Sequence, residues 1–247
     1  MKRQLWLLIL LIFTLCTPAL AEAALPLPTA VDLPLLVNNN IPLPEGYKPT
    51  DLIEIFDLKR NFKMESSETR IERHVFEAMN EMFKTAKSDG QTGFIVTSGY
   101  RSKKQQENLY KNDEKGVAAI PGHSEHQTGL AFDVGTSDGQ AFGNTTQYQW
   151  MRSNCWTYGF ILRYPKGLEA ITGIPYEPWH YRYVGVDHAM AIKRMGTGGT
   201  LEAYIQHNGN VDAFLADEAA KKAADEAEKQ ALIESAQTTE DAWAVIE

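Results

Sequence analysis

The chain has 247 residues, of which 43% are hydrophobic and 23% charged, enough apolar material for one sizeable globular domain with appendages. This balance excludes a collagen-like or wholly disordered chain. A formal net charge of -8, with no basic stripe carrying interleaved aromatics, excludes an electrostatic footprint for nucleic acid.

Met1-Lys2-Arg3 is basic, Leu5 to Leu15 is apolar, and Pro18 precedes the small-residue site Ala19-Leu20-Ala21. This layout predicts a secretory signal peptide over residues 1–21, and the apolar run is shorter than the ~20 residues a membrane span needs. No stable membrane span is expected after cleavage. Cys155 would then be the one cysteine left, so no intramolecular disulfide can form even in an oxidising compartment. It lies in an aromatic helical stretch and reads as a small buried hydrophobe rather than a nucleophile.

Residues 22–36, rich in Pro, Leu and Ala, read as an extended lead-in. The globular domain is expected over residues 37–206. Pro42, Pro44 and Pro49 forbid a helix near its start and predict a strap laid over the surface. Thr69-x-x-Glu72 has capping-box spacing, and Ile71, Val75, Met79, Met82 and Phe83 follow at helical intervals with Gly90 beyond the end, predicting a core helix. Phe94 to Thr97 reads as a strand leading into SGYRS. Ser102 and Gln105 repeat the capping-box spacing, placing Arg101 at the entry of a helix running to about Lys111. Free backbone N–H groups, a favourable dipole end and a guanidinium at such a junction make a receptor for a carboxylate.

The segment SEHQTGLAFD, Ser124 to Asp133, contains a histidine and, at the end of an apolar strand, an aspartate whose burial needs a compensating charge. Thr146 to Tyr158 predicts a helix with Trp150, Met151, Cys155 and Tyr158 on one face and Gly159 as terminator. FILRY and WHYRYV complete the strands. Alternation in the latter puts His180 and Arg182 on one face and Trp179, Tyr181 and Tyr183 on the other. Val186 to Met195 and Leu201 to Ile205 read as short helices. From Val211 the composition turns to Ala, Glu, Asp and Lys, and residues 207–247 are expected to form an acidic, Ala-rich, solvated helical tail without a coiled-coil seam.

Taken together, His126, Asp133 and His180 offer three nitrogen or oxygen ligands, the number a catalytic zinc takes while keeping a position for water. Glu177, three residues before His180, is within reach of such a water and is the candidate proton acceptor. His123 reads as a neighbour of this set, and His74, His188 and His207 as structural.

SGYRS, SEHQTGLAFD, YGFILRYP and ITGIPYEPWHYRYVG, in that order, closely resemble the VanY-type zinc D-alanyl-D-alanine carboxypeptidases and their L,D-carboxypeptidase relatives over roughly Leu36 to Ile205. The resemblance implies an α+β domain with a small central antiparallel sheet flanked by helices, one zinc ion in the sheet cleft, and peptidoglycan stem peptides or their precursors as substrates. It makes His126, Asp133 and His180 the zinc ligands, Glu177 the base, and Arg101 the group that meets the substrate or its developing oxyanion. It also places Gln106 and Ser124 in the substrate pocket, against alternatives of an exposed helix residue and a turn residue. Removal of the terminal D-alanine by an exported enzyme of the periplasm or cell envelope is the expected activity. L,D-carboxypeptidase or endopeptidase action on stem peptides, and a non-catalytic wall-binding module, are the alternatives. No pattern in the sequence sets an oligomeric state.

Overall fold

The computed structural model describes residues 33–114 and 118–244, with side chains through 233. The expected signal peptide and most of the 22–36 lead-in lie outside the described residues. Among those described, no helix is long and apolar enough to cross a membrane.

The described residues form seven strands and seven α-helices, with three strands ahead of the first helix and three helices after the last strand. Strands β1 (Leu52–Glu54) and β3 (Arg70–Glu72) form a small antiparallel pair. The main sheet has the order β2-β4-β5-β7-β6, from β2 (Lys63–Met64), β4 (Phe94–Ser98), β5 (Ala131–Thr136), β7 (Glu177–Tyr183) and β6 (Phe160–Tyr164). All its pairings are antiparallel except that of β2 with β4, so the expected antiparallel sheet carries one short parallel edge. The helices are α1 (Arg73–Ser88), α2 (Lys103–Lys111), α3 (Thr146–Asn154), α4 (Glu169–Thr172), α5 (Val186–Arg194), α6 (Leu201–Gln206) and α7 (Val211–Ala244). The architecture is α+β, a central sheet flanked by helices.

Helix α1 buries Val75, Phe76, Met79, Met82, Phe83 and Ala86 against Phe94, Phe132, Phe160 and Tyr181 of the sheet. The apolar spacing read from the sequence thus finds its partner, but the capping box does not form. Residues 70–72 are strand, Thr69 Oγ1 donates to the Ser66 carbonyl, and no side chain caps α1. The Glu72 carboxylate instead accepts from the backbone N–H of Thr50 and, at 3.0 Å, of Asp51, tying the proline strap to the head of the helix. Farther along, the strap crosses the loop before β5: Leu43 N–H donates to Gly122 O at 2.8 Å and Tyr47 Oη to Thr128 O at 3.2 Å.

A second apolar cluster gathers Ile161 with Ala189, Ile192, Met195, Leu201, Tyr204, Val211 and Phe214. It joins α5, α6 and the first turn of α7 to the β6 edge. Asn210 caps α7 by accepting from Ala213 N–H at 3.0 Å. Cys155 is buried in the main core, where desolvation pushes its thiol up to about 12. That suits a packing role.

Candidate metal centre

Three elements meet around one cavity of about 210 Å³, and each is held by a local rule. Ser102 and Gln105 form both arms of the expected capping box, which fixes the start of α2 and with it Arg101. The 3-10 turn Glu125–Thr128 carries His126 and ends at Gly129, whose φ of +73° suits glycine. Arg101 N–H donates to His126 O at 3.1 Å, so these two segments brace each other. Strands β5 and β7 supply Asp133 and His180, which are direct register partners.

Glu177 and His180 are three apart on β7, and in a regular strand they would point to opposite faces. The pairing of β7 with β6 slips between Leu162–Tyr181 and Tyr164–Glu177, the mark of a bulge. The bulge re-aims the strand so that both side chains line the cavity, with Glu177 Oε2 3.6 Å from His180 Nδ1. It also breaks the expected alternation. Tyr181 is wholly buried in the core, whereas Trp179 is 41% exposed and stands on the cavity rim.

One nitrogen of each histidine is committed outside the cavity. His126 Nδ1 lies 2.7 Å from Gly99 O, which can only accept, so its Nε2 is left to face Asp133 Oδ2 at 3.3 Å. His180 Nε2 lies 3.3 Å from Glu125 Oε2, leaving Nδ1 to face Asp133 Oδ1 at 3.1 Å. Asp133 Oδ1 is buried yet makes no hydrogen bond, although His180 is close. One ligand atom from each of His126, Asp133 and His180 falls within 4.8 Å of the others. Two imidazole nitrogens and a carboxylate oxygen converging on one point, with an orphaned buried oxygen among them, fit a divalent cation of the zinc class.

The electrostatics agree. Burial pushes the Asp133 carboxyl up, but His126 and His180 outweigh it and hold the group well below the usual carboxylate range. Burial lowers His180, yet Asp133 and Glu125 pull it up to about 9, a field that favours positive charge at this spot. His126 is lowered by burial and by Arg101, against the pull of Asp133. Glu177 is raised, chiefly by burial and further by Asp133 and Glu125, while His180 and Arg101 oppose the rise. A carboxyl poised above its ordinary value is suited to exchange protons near neutrality.

The other expected residues also face this cavity. Arg101 lines it with Nε buried and without a hydrogen-bond partner. Ser124 lines it and is buried. Gln106 is not exposed on α2. It is buried, Nε2 donates to Ala119 O at 2.7 Å, and Oε1 is left without a partner. His123 stands aside, with Nδ1 2.8 Å from Asn38 O. A sequence reading misses Tyr164, whose ring centroid lies 4.8 Å from that of His180, and Glu125, wholly buried behind it.

The model of the VanY family, described as D-alanyl-D-alanine carboxypeptidase, matches residues 68–186. The chain is 34% identical over 176 residues to a D-alanyl-D-alanine carboxypeptidase of Enterococcus faecium, covering 70% of this chain and 57% of that protein. Among solved structures it matches the LdcB LD-carboxypeptidase at 39% identity and a TM-score of 0.60, over 69% of this chain and 84% of that one. It matches the D,D-pentapeptidase VanY of a VanB-type resistance cassette, solved as a mutant in complex with Zn(II), at 33% identity and a TM-score of 0.57, over 69% of this chain and 97% of that one. The chain belongs to the VanY-type carboxypeptidase family, L,D-carboxypeptidase relatives included. Within the family it spans 57% to 66% of the length of the curated relatives it matches. Arg101, Gln106, Ser124, His126, Asp133, Glu177 and His180, the residues that the family resemblance singled out, all line the cavity.

Proposed function

We propose that the chain is a zinc metallopeptidase that hydrolyses the C-terminal D-alanine from peptidoglycan stem peptides. The observation that carries this reading is the convergence of His126, Asp133 and His180 on one point, with Glu177 and Arg101 facing the same small cavity. His126 Nε2, an Asp133 oxygen and His180 Nδ1 would hold the zinc. A zinc ion bound there supplies Lewis acidity toward a carbonyl and toward a water molecule. A bare wall-binding module has no use for an ionisable carboxylate beside an open ligand set.

The remaining chemistry belongs to the chain's own side chains. Glu177 takes a proton from the attacking water at Oε2 and returns it to the leaving amine of the terminal residue. Such general acid-base work contributes about 10²- to 10⁴-fold. Arg101, its Nε unpartnered, donates to the peptide's terminal carboxylate or to the oxygen that gains charge, in a site partly shielded from water where such contacts act strongly. Gln106 Oε1 and Ser124 Oγ are the further polar groups offered to the substrate.

The likeness to the LdcB LD-carboxypeptidase favours one second reading, removal of a terminal D-alanine from a tetrapeptide rather than a pentapeptide. The layout of residues 1–21 supports export, which would bring the enzyme to its substrate in the periplasm or envelope. The test is incubation of the protein, with and without a chelator, with muropeptides ending in a pentapeptide, a tetrapeptide or a cross-link. Chelator-sensitive release of D-alanine from the pentapeptide alone is the expected result. Release from the tetrapeptide alone would move the assignment to L,D, and no release from any of them would remove it.

A further inference from the structure

Behind the cavity lies a buried charge network that joins His180 to helix α6. Glu125 Oε1 accepts from Arg163 Nε at 2.7 Å and from Arg182 Nη1 at 2.8 Å, which leaves Oε2 to His180 Nε2. Arg163 continues to Glu202 on α6 through Nη1 at 2.8 Å and Nη2 at 2.6 Å. Arg182 Nη2 donates to Leu35 O at 2.7 Å, and Asn38 Nδ2 to Glu202 Oε1 at 3.2 Å. Both guanidinium groups and Glu125 are wholly buried.

Two arginines and two glutamates cancel in formal charge when His180 is neutral. Sets of this kind are expensive to desolvate, and packed apolar residues would stabilise a core as well or better. The network therefore points to a use other than stability. Its geometry shows one: the arginines occupy one oxygen of Glu125 and aim the other at His180. With Nε2–H engaged there, the ring can neither rotate nor switch tautomer freely, and its Nδ1 lone pair stays directed at Asp133 and Glu177.

We propose that Glu125 is a positioning residue that fixes the orientation and tautomer of His180. Arg163, Arg182 and Glu202 hold Glu125 for that task. Helix α6, which does not line the cavity, thereby contributes to metal affinity. This inference rests on the zinc reading above.

The experiment measures zinc affinity of the full chain by competition with a chromophoric chelator, and the visible spectrum of the cobalt-substituted protein. Four variants accompany the wild type: Glu125→Asp, Glu125→Gln, Glu202→Gln and, as a control on exposed α1 surface, Glu81→Gln. Glu125→Asp keeps the charge but withdraws it by roughly 1.5 Å, the length of one carbon–carbon bond. It should bind zinc about 10- to 100-fold more weakly, the usual effect of losing an outer partner of a metal-binding histidine, and should alter the cobalt spectrum. Glu202→Gln should weaken zinc by a smaller factor, and Glu81→Gln should leave it unchanged. If Glu125→Gln does not fold, Glu125→Asp and Glu202→Gln decide the matter. A folded Glu125→Asp with wild-type zinc affinity and cobalt spectrum would overturn the positioning role while leaving the zinc reading intact. A wild-type chain that binds no zinc would overturn the zinc reading itself, and this inference with it.

Discussion

Asp133 and His180 face each other across β5 and β7 as direct register partners, Oδ1 3.1 Å from Nδ1. Their separation is set by the hydrogen-bonded ladder rather than by a loop, the more exact way to place paired groups. Asp133→Asn preserves the shape and removes the charge that His126 and His180 share. Its zinc content, measured by elemental analysis after dialysis, is expected to fall well below one ion per chain. Full retention would take Asp133 out of the ligand set.

Glu177→Ala is expected to keep zinc and lose about 10²- to 10⁴-fold in kcat. Titration of the zinc-free chain tests the environment of the same group. Burial raises the Glu177 carboxyl above its ordinary value of 4.5. Its carboxyl signal, followed by NMR in the zinc-free chain, should therefore titrate above that pH, and a midpoint at or below it would contradict the assigned environment.

Arg101 is lowered by burial, with Asp133, Glu177 and Tyr164 restoring part of the preference for charge, so the guanidinium remains available to an anion. A charge-assisted hydrogen bond contributes about 1.5–3 kcal/mol. Arg101→Ala should cost about 10- to 100-fold in kcat/KM on a stem peptide with a free terminal carboxylate. The same variant should hardly change hydrolysis of a peptide whose terminus is amidated. Equal losses on both would place Arg101 at the oxyanion instead of the carboxylate.

Acid should weaken the fold through Glu125. Burial alone would raise this carboxyl, but Arg163, Arg182 and His180 outweigh it and hold it well below its ordinary value of 4.5. A depressed folded value means that the stabilisation is complete above the unfolded value and drains away as the pH falls through the folded one. The stability gap between wild type and Glu125→Gln in denaturant melts should be widest near neutrality and narrow below pH 4.5. A gap that stays constant with pH would sever this link.

Much of this arrangement could be read in advance, for physical reasons that differ by element. Apolar periodicity marked α1, because a helix packed on a sheet must present one apolar face. Ser102 and Gln105 marked the start of α2, because a capping box is a local device needing no tertiary partner. Thr69 and Glu72 had the same spacing and failed, because pairing of β3 with β1 claimed their backbone and the strap claimed the Glu72 carboxylate. Trp179 escaped the alternation because the bulge depends on the β6 partner. Pro178, a residue that strands confine to edges and irregularities, was the available hint. Glu125 escaped because a carboxylate beside a histidine resembles a solvated charge. Its signal was the presence of Arg163 and Arg182 at buried positions of two neighbouring strands, where each must find an anion.

The 34 residues of α7 extend about 51 Å at 1.5 Å per residue, yet Val211 and Phe214 are the buried side chains described on it. Beyond that first turn, helicity rests on alanine propensity and neighbouring pairs such as Lys221 with Glu218, rather than on packing. Heating should separate two signals that fall together in a single cooperative unit. Far-ultraviolet ellipticity will decay gradually as this segment frays, while the near-ultraviolet signal of the buried aromatics holds until the sheet gives way. The long helix is thus a thermal passenger of the domain that carries the metal centre.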